Sequence, residues 1–242
     1  MRPSIKIVTL TIATLAYATL SPLAAASVTL GATRLIYNES NDSISLSVND
    51  DDKTPYLVQS WVSTYANAAE SGKPAALTEV SNIPFIVTPP LFKMESGDSN
   101  TLNIVKTSQS TLPNDRESIF YLNVKAIPGK VKDNNSSIMI SVKSSLKLFY
   151  RPAQIEGDKA ANAWAQLSFQ QQGKSLIAKN PTPYYITFYE LVADGNKINE
   201  PQNSMVAPYG KLTYPVKGSV RTISWKAIGD LGQITDEKVA HL

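Results

Sequence analysis

Apolar positions along the chain fall in short runs, and several of these alternate with polar residues at a period of two. Ile44, Leu46 and Val48 share one face of a run, with Ser43, Ser45 and Ser47 on the other. Val58, Ser60 and Val62 oppose Leu57 and Gln59, while Phe120, Leu122 and Val124 oppose Ile119, Tyr121 and Asn123. A period of two describes half-buried β-strands rather than helices. The pattern predicts strands at 33–37, 43–48, 56–64, 85–88, 101–106, 118–125, 137–149, 164–170, 175–179, 184–192, 211–215 and 220–226. Turn-forming clusters separate them, among them Asn49–Asp52, Glu95–Asp98 and Ala193–Asn196. A dozen short strands are too many for one seven-stranded sandwich, so the reading is all-β with two sandwiches. The best boundary is Tyr150-Arg151-Pro152, because a proline cannot donate to a strand ladder. Helix is scarce, with one or two turns expected at Asp158–Ala165, and no internal repeat is visible.

The first 26 residues stand apart. Arg2 and Lys6 precede a mostly apolar stretch from Ile7 to Leu20, and Ser21-Pro22 and the small residues Ala24-Ala25-Ala26 follow. This is the order of a secretory leader, with cleavage expected after Ala26 and a mature start at Ser27. Removing Arg2 and Lys6 lowers the formal net charge of +3 to +1, which gives no reason to invoke nucleic acid or anionic lipid. No run of about 20 apolar residues crosses a membrane as a helix. The chain has no cysteine, which excludes disulfides, thiolate metal sites and a cysteine nucleophile. Its one histidine, His241, is the second-last residue, where chains usually fray, so a histidine-based triad has no base. Asp50-Asp51-Asp52 lacks the spaced ligands of a calcium loop, and no glycine-rich phosphate loop is present. The expectation is a protein that is no enzyme and uses no cofactor or metal.

The segment Ser137–Pro152, SIMISVKSSLKLFYRP, places Ile138, Ile140 and Val142 on one stripe. On pattern alone it is an ordinary half-buried strand. Its context adds more. The chain carries TRLIYN near the mature N-terminus, then IPFIVTPPLFKMESGDSNTLNI, LPNDRESIFYLNVKAIP, KLFYRP, NPTPYYITFYEL, VAPYGKLTYPV and ISWKAIGDLG. In this order and spacing the motifs resemble the periplasmic pilus chaperones, the PapD-like family, over essentially the whole mature chain.

The resemblance implies two immunoglobulin-like β-sandwich domains set at an angle with a cleft between them, over residues 27–150 and 151–242. It implies a chaperone that binds, folds and caps pilus subunits by donor-strand complementation and delivers them to an outer-membrane usher. Donor residues fall on Ile138, Ile140 and Val142, within a strand at 137–149. The subunit's terminal carboxylate falls to Arg34 in TRLIYN and Lys147 in KLFYRP. Glu117, Arg151 and Asp230 match an ion network between the domains, although the family more often reads IND-Y-G where this chain reads IGDLG. Strict alternation puts Lys147 on the face opposite the donor stripe, and a bulge or strong twist near Ser144-Ser145 would remove the conflict. The segment Ile127–Ser136 is short, the arm Ser27–Thr33 is short and cysteine is absent, which matches the subclass with a short loop before the donor strand.

A second reading is an exported two-domain sandwich that binds a partner, or a pilus subunit or adhesin. The chain lacks the disulfide and the penultimate tyrosine typical of subunits, ending Ala240-His241-Leu242. An exposed apolar stripe also calls for cover in the free protein, so weak self-association through the donor strand is expected.

Overall fold

A computed structural model describes residues 28–51, 54–64, 83–107, 112–129, 139–199 and 204–242. The expected cleavage site, Ser27, Ile138 and most of the segment 127–136 lie outside these residues.

Among the described residues, nine strands build the first domain. One sheet has the order β1 (Val28–Leu30), β3 (Ser43–Asp50), β7 (Ser99–Lys106), β5 (Phe85–Thr88), all antiparallel. The facing sheet has the order β2 (Arg34–Asn38), β9 (Val142–Arg151), β8 (Ser118–Pro128), β4 (Tyr56–Thr64), β6 (Leu91–Met94). Here β2 runs parallel to β9 and the other pairs are antiparallel. The alternation read from sequence is the packing: Leu46 and Val48 meet Leu102 and Ile104 from one sheet, and Val58, Leu122 and Leu148 from the other. Phe85 bridges the layers, its ring 5.2 Å from Tyr37 and 5.0 Å from Phe120, both edge-on. Edge-to-face rings of this kind add to the burial of the apolar area.

The second domain sets β10 (Ser168–Gln172), β11 (Ser175–Lys179) and β15 (Lys211–Pro215) against a sheet of β13 (Asn196–Lys197), β12 (Ile186–Ala193), β16 (Thr222–Ala227) and β17 (Lys238–His241), with β14 (Met205–Val206) also on β12. Its core is separate, gathered around Trp225, Leu176, Ile186, Tyr214 and Ile223. The two layers over two cores are immunoglobulin-like sandwiches.

Several boundaries differ from the sequence reading. The strand expected over 137–149 begins at Val142 and runs through Arg151, so Ile140 precedes the ladder. Residues 164–166 belong not to a strand but to a 3-10 helix, Ala160–Gln166, where the alanine-rich AANAWAQ lacks β-branched residues. Trp225 fixes that turn by donating its indole N–H to the Trp164 carbonyl at 3.1 Å. The short strands β1, β6, β13, β14 and β17 escaped the periodicity. His241, expected to fray, lies in β17 opposite Thr222.

Candidate functional site

Between the domains, β2 and β9 present a pair of cations. Parallel pairing sets Arg34 directly opposite Lys147, so both side chains leave the sheet on the same face. Odd-numbered residues of β9 share that face, and Phe149 lies under the Arg34 guanidinium at 5.8 Å. The second domain reaches the same spot, because Arg34 Nη1 donates to the Ile228 carbonyl at 3.0 Å.

Neither cation has an ion-pair partner among the described residues. The acids nearest in effect to Arg34 are Asp230 and Glu117, and both are engaged by Arg151. Burial lowers the Arg34 pKa, against the pull of those two carboxylates. Burial, and then the Arg34 charge, push the Lys147 ammonium down to about 8. Two half-buried like charges side by side are a standing electrostatic expense, relieved when an anion is shared between them. A carboxylate suits both, since arginine offers a planar fork and lysine a point charge.

Behind this pair lies the charge network. Arg151 Nε and Nη2 donate to Glu117 Oε1 at 2.9 and 2.8 Å, and Nη1 and Nη2 donate to Asp230 Oδ2 and Oδ1 at 2.8 and 3.1 Å. Glu117 Oε2 accepts the Tyr185 backbone N–H at 2.7 Å, and the Glu117 N–H donates to the Pro183 carbonyl. The Tyr184 ring stacks 5.3 Å from the Arg151 guanidinium. Glu117, just ahead of β8, and Arg151, the last residue of β9, come from the first domain, while Asp230, Tyr184 and Tyr185 come from the second. The three residues named from sequence therefore meet across the domain boundary.

The apolar stripe stands on the other face of β9. Register with β8 is unbroken from Ala126↔Val142 to Ser118↔Tyr150, so the bulge expected near Ser144-Ser145 is absent. The reason is packing. Leu146, Leu148 and Tyr150 all point into the core, and a bulge would turn part of that row outward. Val142 and Ile140 continue the parity of this row past the edge of the core, where they are 51% and 72% exposed. Lys147 needs no re-aiming, because a chain lying along the strand edge has access to both faces. That edge is open where it matters: β2 pairs only with Lys147–Arg151, and no described strand covers Val142–Leu146 on that side.

Sequence reasoning missed what steadies this half of β9. Asn123 is fully buried on the outer face of β8, donating to Ser63 Oγ on β4 at 2.9 Å and accepting from Ser145 Oγ on β9 at 2.8 Å. Its place between Leu122 and Val124 was the available signal. The Ile228 carbonyl, a backbone group, left none.

Comparison with known proteins decides the family. The model described as "Pili and flagellar-assembly chaperone, PapD N-terminal domain" matches residues 27–156, and "Pili assembly chaperone PapD, C-terminal domain" matches 162–239. The chain belongs to the PapD-like pilus chaperones. The chaperone is 40% identical to the Escherichia coli chaperone protein FocC over 221 residues, which is 89% of this chain and 90% of FocC. The crystal structure of the E. coli chaperone DraB is similar at TM-score 0.72 and 36% identity, over 89% of this chain and 98% of that one. The Salmonella enterica SafA pilin–SafB chaperone complex matches at TM-score 0.76 and 30% identity, over 90% and 97%. Among the chaperone's described residues, no helix is long and apolar enough to cross a membrane.

Proposed function

We propose that this chaperone captures a pilus subunit along the open edge of β9, the Val142 end completing the subunit's sheet while Arg34 and Lys147 hold its terminal carboxylate. The leader-like residues 1–26 make the periplasm the site of action, with an outer-membrane usher receiving the capped subunit. Because β9 runs through Arg151, the donor domain takes in that residue beyond the 27–150 read from sequence, and the rest of 151–242 forms its companion, joined through Glu117, Arg151 and Asp230. The observation that carries the reading is the pair of adjacent, half-buried cations that have no ion-pair partner among the described residues, beside a strand edge that no described strand covers and that exposes aliphatic side chains.

The energetics support these roles. Ile140 and Val142 each gain about 1.5–3 kcal/mol on full burial, before ordering is counted. Charge-assisted bonds to the carboxylate add roughly 1.5–3 kcal/mol each, offset by desolvation. The carboxylate also sets register, since a slip of one residue would reverse every side chain along the added strand.

Co-expression with a subunit of its own pilus tests the anchor. Lys147→Ala and Arg34→Ala are expected to keep the fold and to lose the co-purified subunit. Arg34→Lys is expected to recover only part of the yield, because an ammonium cannot present two parallel donors. Wild-type yields from both alanine variants would overturn the anchor.

A further inference from the structure

The loop that closes the cleft on the second domain's side holds Leu231 in water. Leu231 is 92% exposed, more than any other large hydrophobic side chain among the described residues. Its neighbours are all engaged. The Ile228 carbonyl accepts from Arg34 and the Asp230 carboxylate from Arg151. Gly229 N–H donates to the Gln233 carbonyl at 2.8 Å, Gly232 N–H to the Gly229 carbonyl at 2.9 Å, and the Leu231 N–H to Gln233 Oε1 at 3.0 Å. Gly232 presses on the first domain so closely that an added Cβ would overlap the Thr33 hydroxyl. The loop is thus pinned to Thr33 and Arg34 on either side of the residue it leaves bare.

We propose that Leu231 is a specificity-determining contact, an apolar rim to the carboxylate anchor that reads the side chain next to the carboxylate of the captured chain. The proposal rests on the anchor reading for Arg34 and Lys147. A chain whose carboxylate sits on Arg34 brings its last side chains to the residues flanking Arg34, and the loop bearing Leu231 is one of those flanks. The chemistry at the rim selects an aliphatic or aromatic side chain over a polar one. A tightly hydrogen-bonded loop loses little freedom on binding, so the contact is pre-organised and its apolar area counts towards affinity. No group of the chaperone's own core needs Leu231, which separates this role from a structural one.

The test uses short β-forming peptides with alternating valines, identical except for phenylalanine or serine beside the carboxylate, each made as free acid and as amide. Binding is measured by fluorescence anisotropy to the full mature chain and to its Leu231→Ser variant, with thermal unfolding as the control for fold. Free acids are expected to bind better than amides to both proteins, which reads the anchor alone. The wild type is expected to prefer phenylalanine over serine by about tenfold, as burial of about 55 Å² of apolar surface between Leu231 and the ring implies. In Leu231→Ser that preference should shrink by about threefold or more. An equal preference in the two proteins overturns the role of Leu231 while leaving the anchor standing. Free acids and amides that bind alike overturn the anchor, and the proposal with it.

Discussion

Lys147 links stability and capture with opposite signs. Its folded-state pKa of about 8 lies below the 10.5 of an unperturbed lysine, because burial disfavours the ammonium. Between those values the unfolded chain binds a proton that the folded chain does not, so the Lys147 contribution to stability rises with pH. The protonated side chain therefore costs stability, roughly 1–3 kcal/mol after allowance for screening, below pH 8, and this cost is relieved towards pH 10.5. The stability gap between wild type and Lys147→Met is expected to favour the variant at pH 7 and to close by about pH 10, read by urea titration at each pH. Capture runs the other way, since the carboxylate binds the ammonium. The affinity for a carboxylate-terminated peptide is expected to fall about tenfold per unit once pH passes about 8, and to stay flat in Lys147→Met. A wild-type profile as flat as the variant's across that range would show that Lys147 does not hold the carboxylate. At this scale the sequence was legible for charges and silent on backbone. Arg34, Lys147, Glu117, Arg151 and Asp230 carry motif positions, whereas the Ile228 carbonyl and the Tyr185 N–H that complete their shells belong to no side chain.

At the scale of elements, β9 does two jobs along one strand. From Leu146 onward its even positions fill the first domain's core, and ahead of that the same parity carries Val142 and Ile140 into solvent. Periodicity revealed the alternation but could not say where the core ends, because Leu148 and Ile140 look alike in sequence. It also placed the strand's start too early and missed four-residue β6 and β17, which exist only through pairing with β4 and β16. The division of labour predicts different responses to one kind of change. Ile140→Glu is expected to leave the thermal midpoint within about 2 °C of wild type, as for other surface substitutions. It is expected to abolish subunit capture, because the recipient groove would bury an unpaired carboxylate. Leu148→Ala, by contrast, removes a fully buried side chain and should destabilise the domain by about 2–5 kcal/mol. If the free chaperone hides its stripe by self-association, Ile140→Glu should also shift it towards monomer in sedimentation velocity. An Ile140→Glu protein that unfolds would place the residue in the core and remove the basis for a donor strand.

Across the whole molecule, the domain angle is held by contacts that differ sharply in burial, and that difference orders their effects. Arg151 and Glu117 are almost wholly buried, their side chains 6% and 2% exposed, whereas the Asp230 side chain is 41% exposed. Removing Arg151 strands a buried carboxylate, and losses of about 3–5 kcal/mol follow when one partner of such a pair is deleted. Removing the Asp230 charge leaves Arg151 still paired with Glu117, at a position already open to water, so a loss nearer 1 kcal/mol is expected. Among the described residues Asp230 nonetheless supplies the only carboxylate that Arg151 engages from the second domain, so its loss should act on geometry more than on stability. Arg151→Ala is therefore expected to lower the thermal midpoint by several degrees, and Asp230→Asn to lower it by far less. Both are expected to broaden the distance distribution between spin labels placed on β3 and β11, one in each domain. Subunit capture should fall in Asp230→Asn even though the fold survives, because the Ile228 carbonyl that steadies Arg34 sits two residues along the same loop. A narrow, wild-type distance distribution in Asp230→Asn, with capture intact, would mean that the network stabilises the first domain and leaves the angle to other contacts.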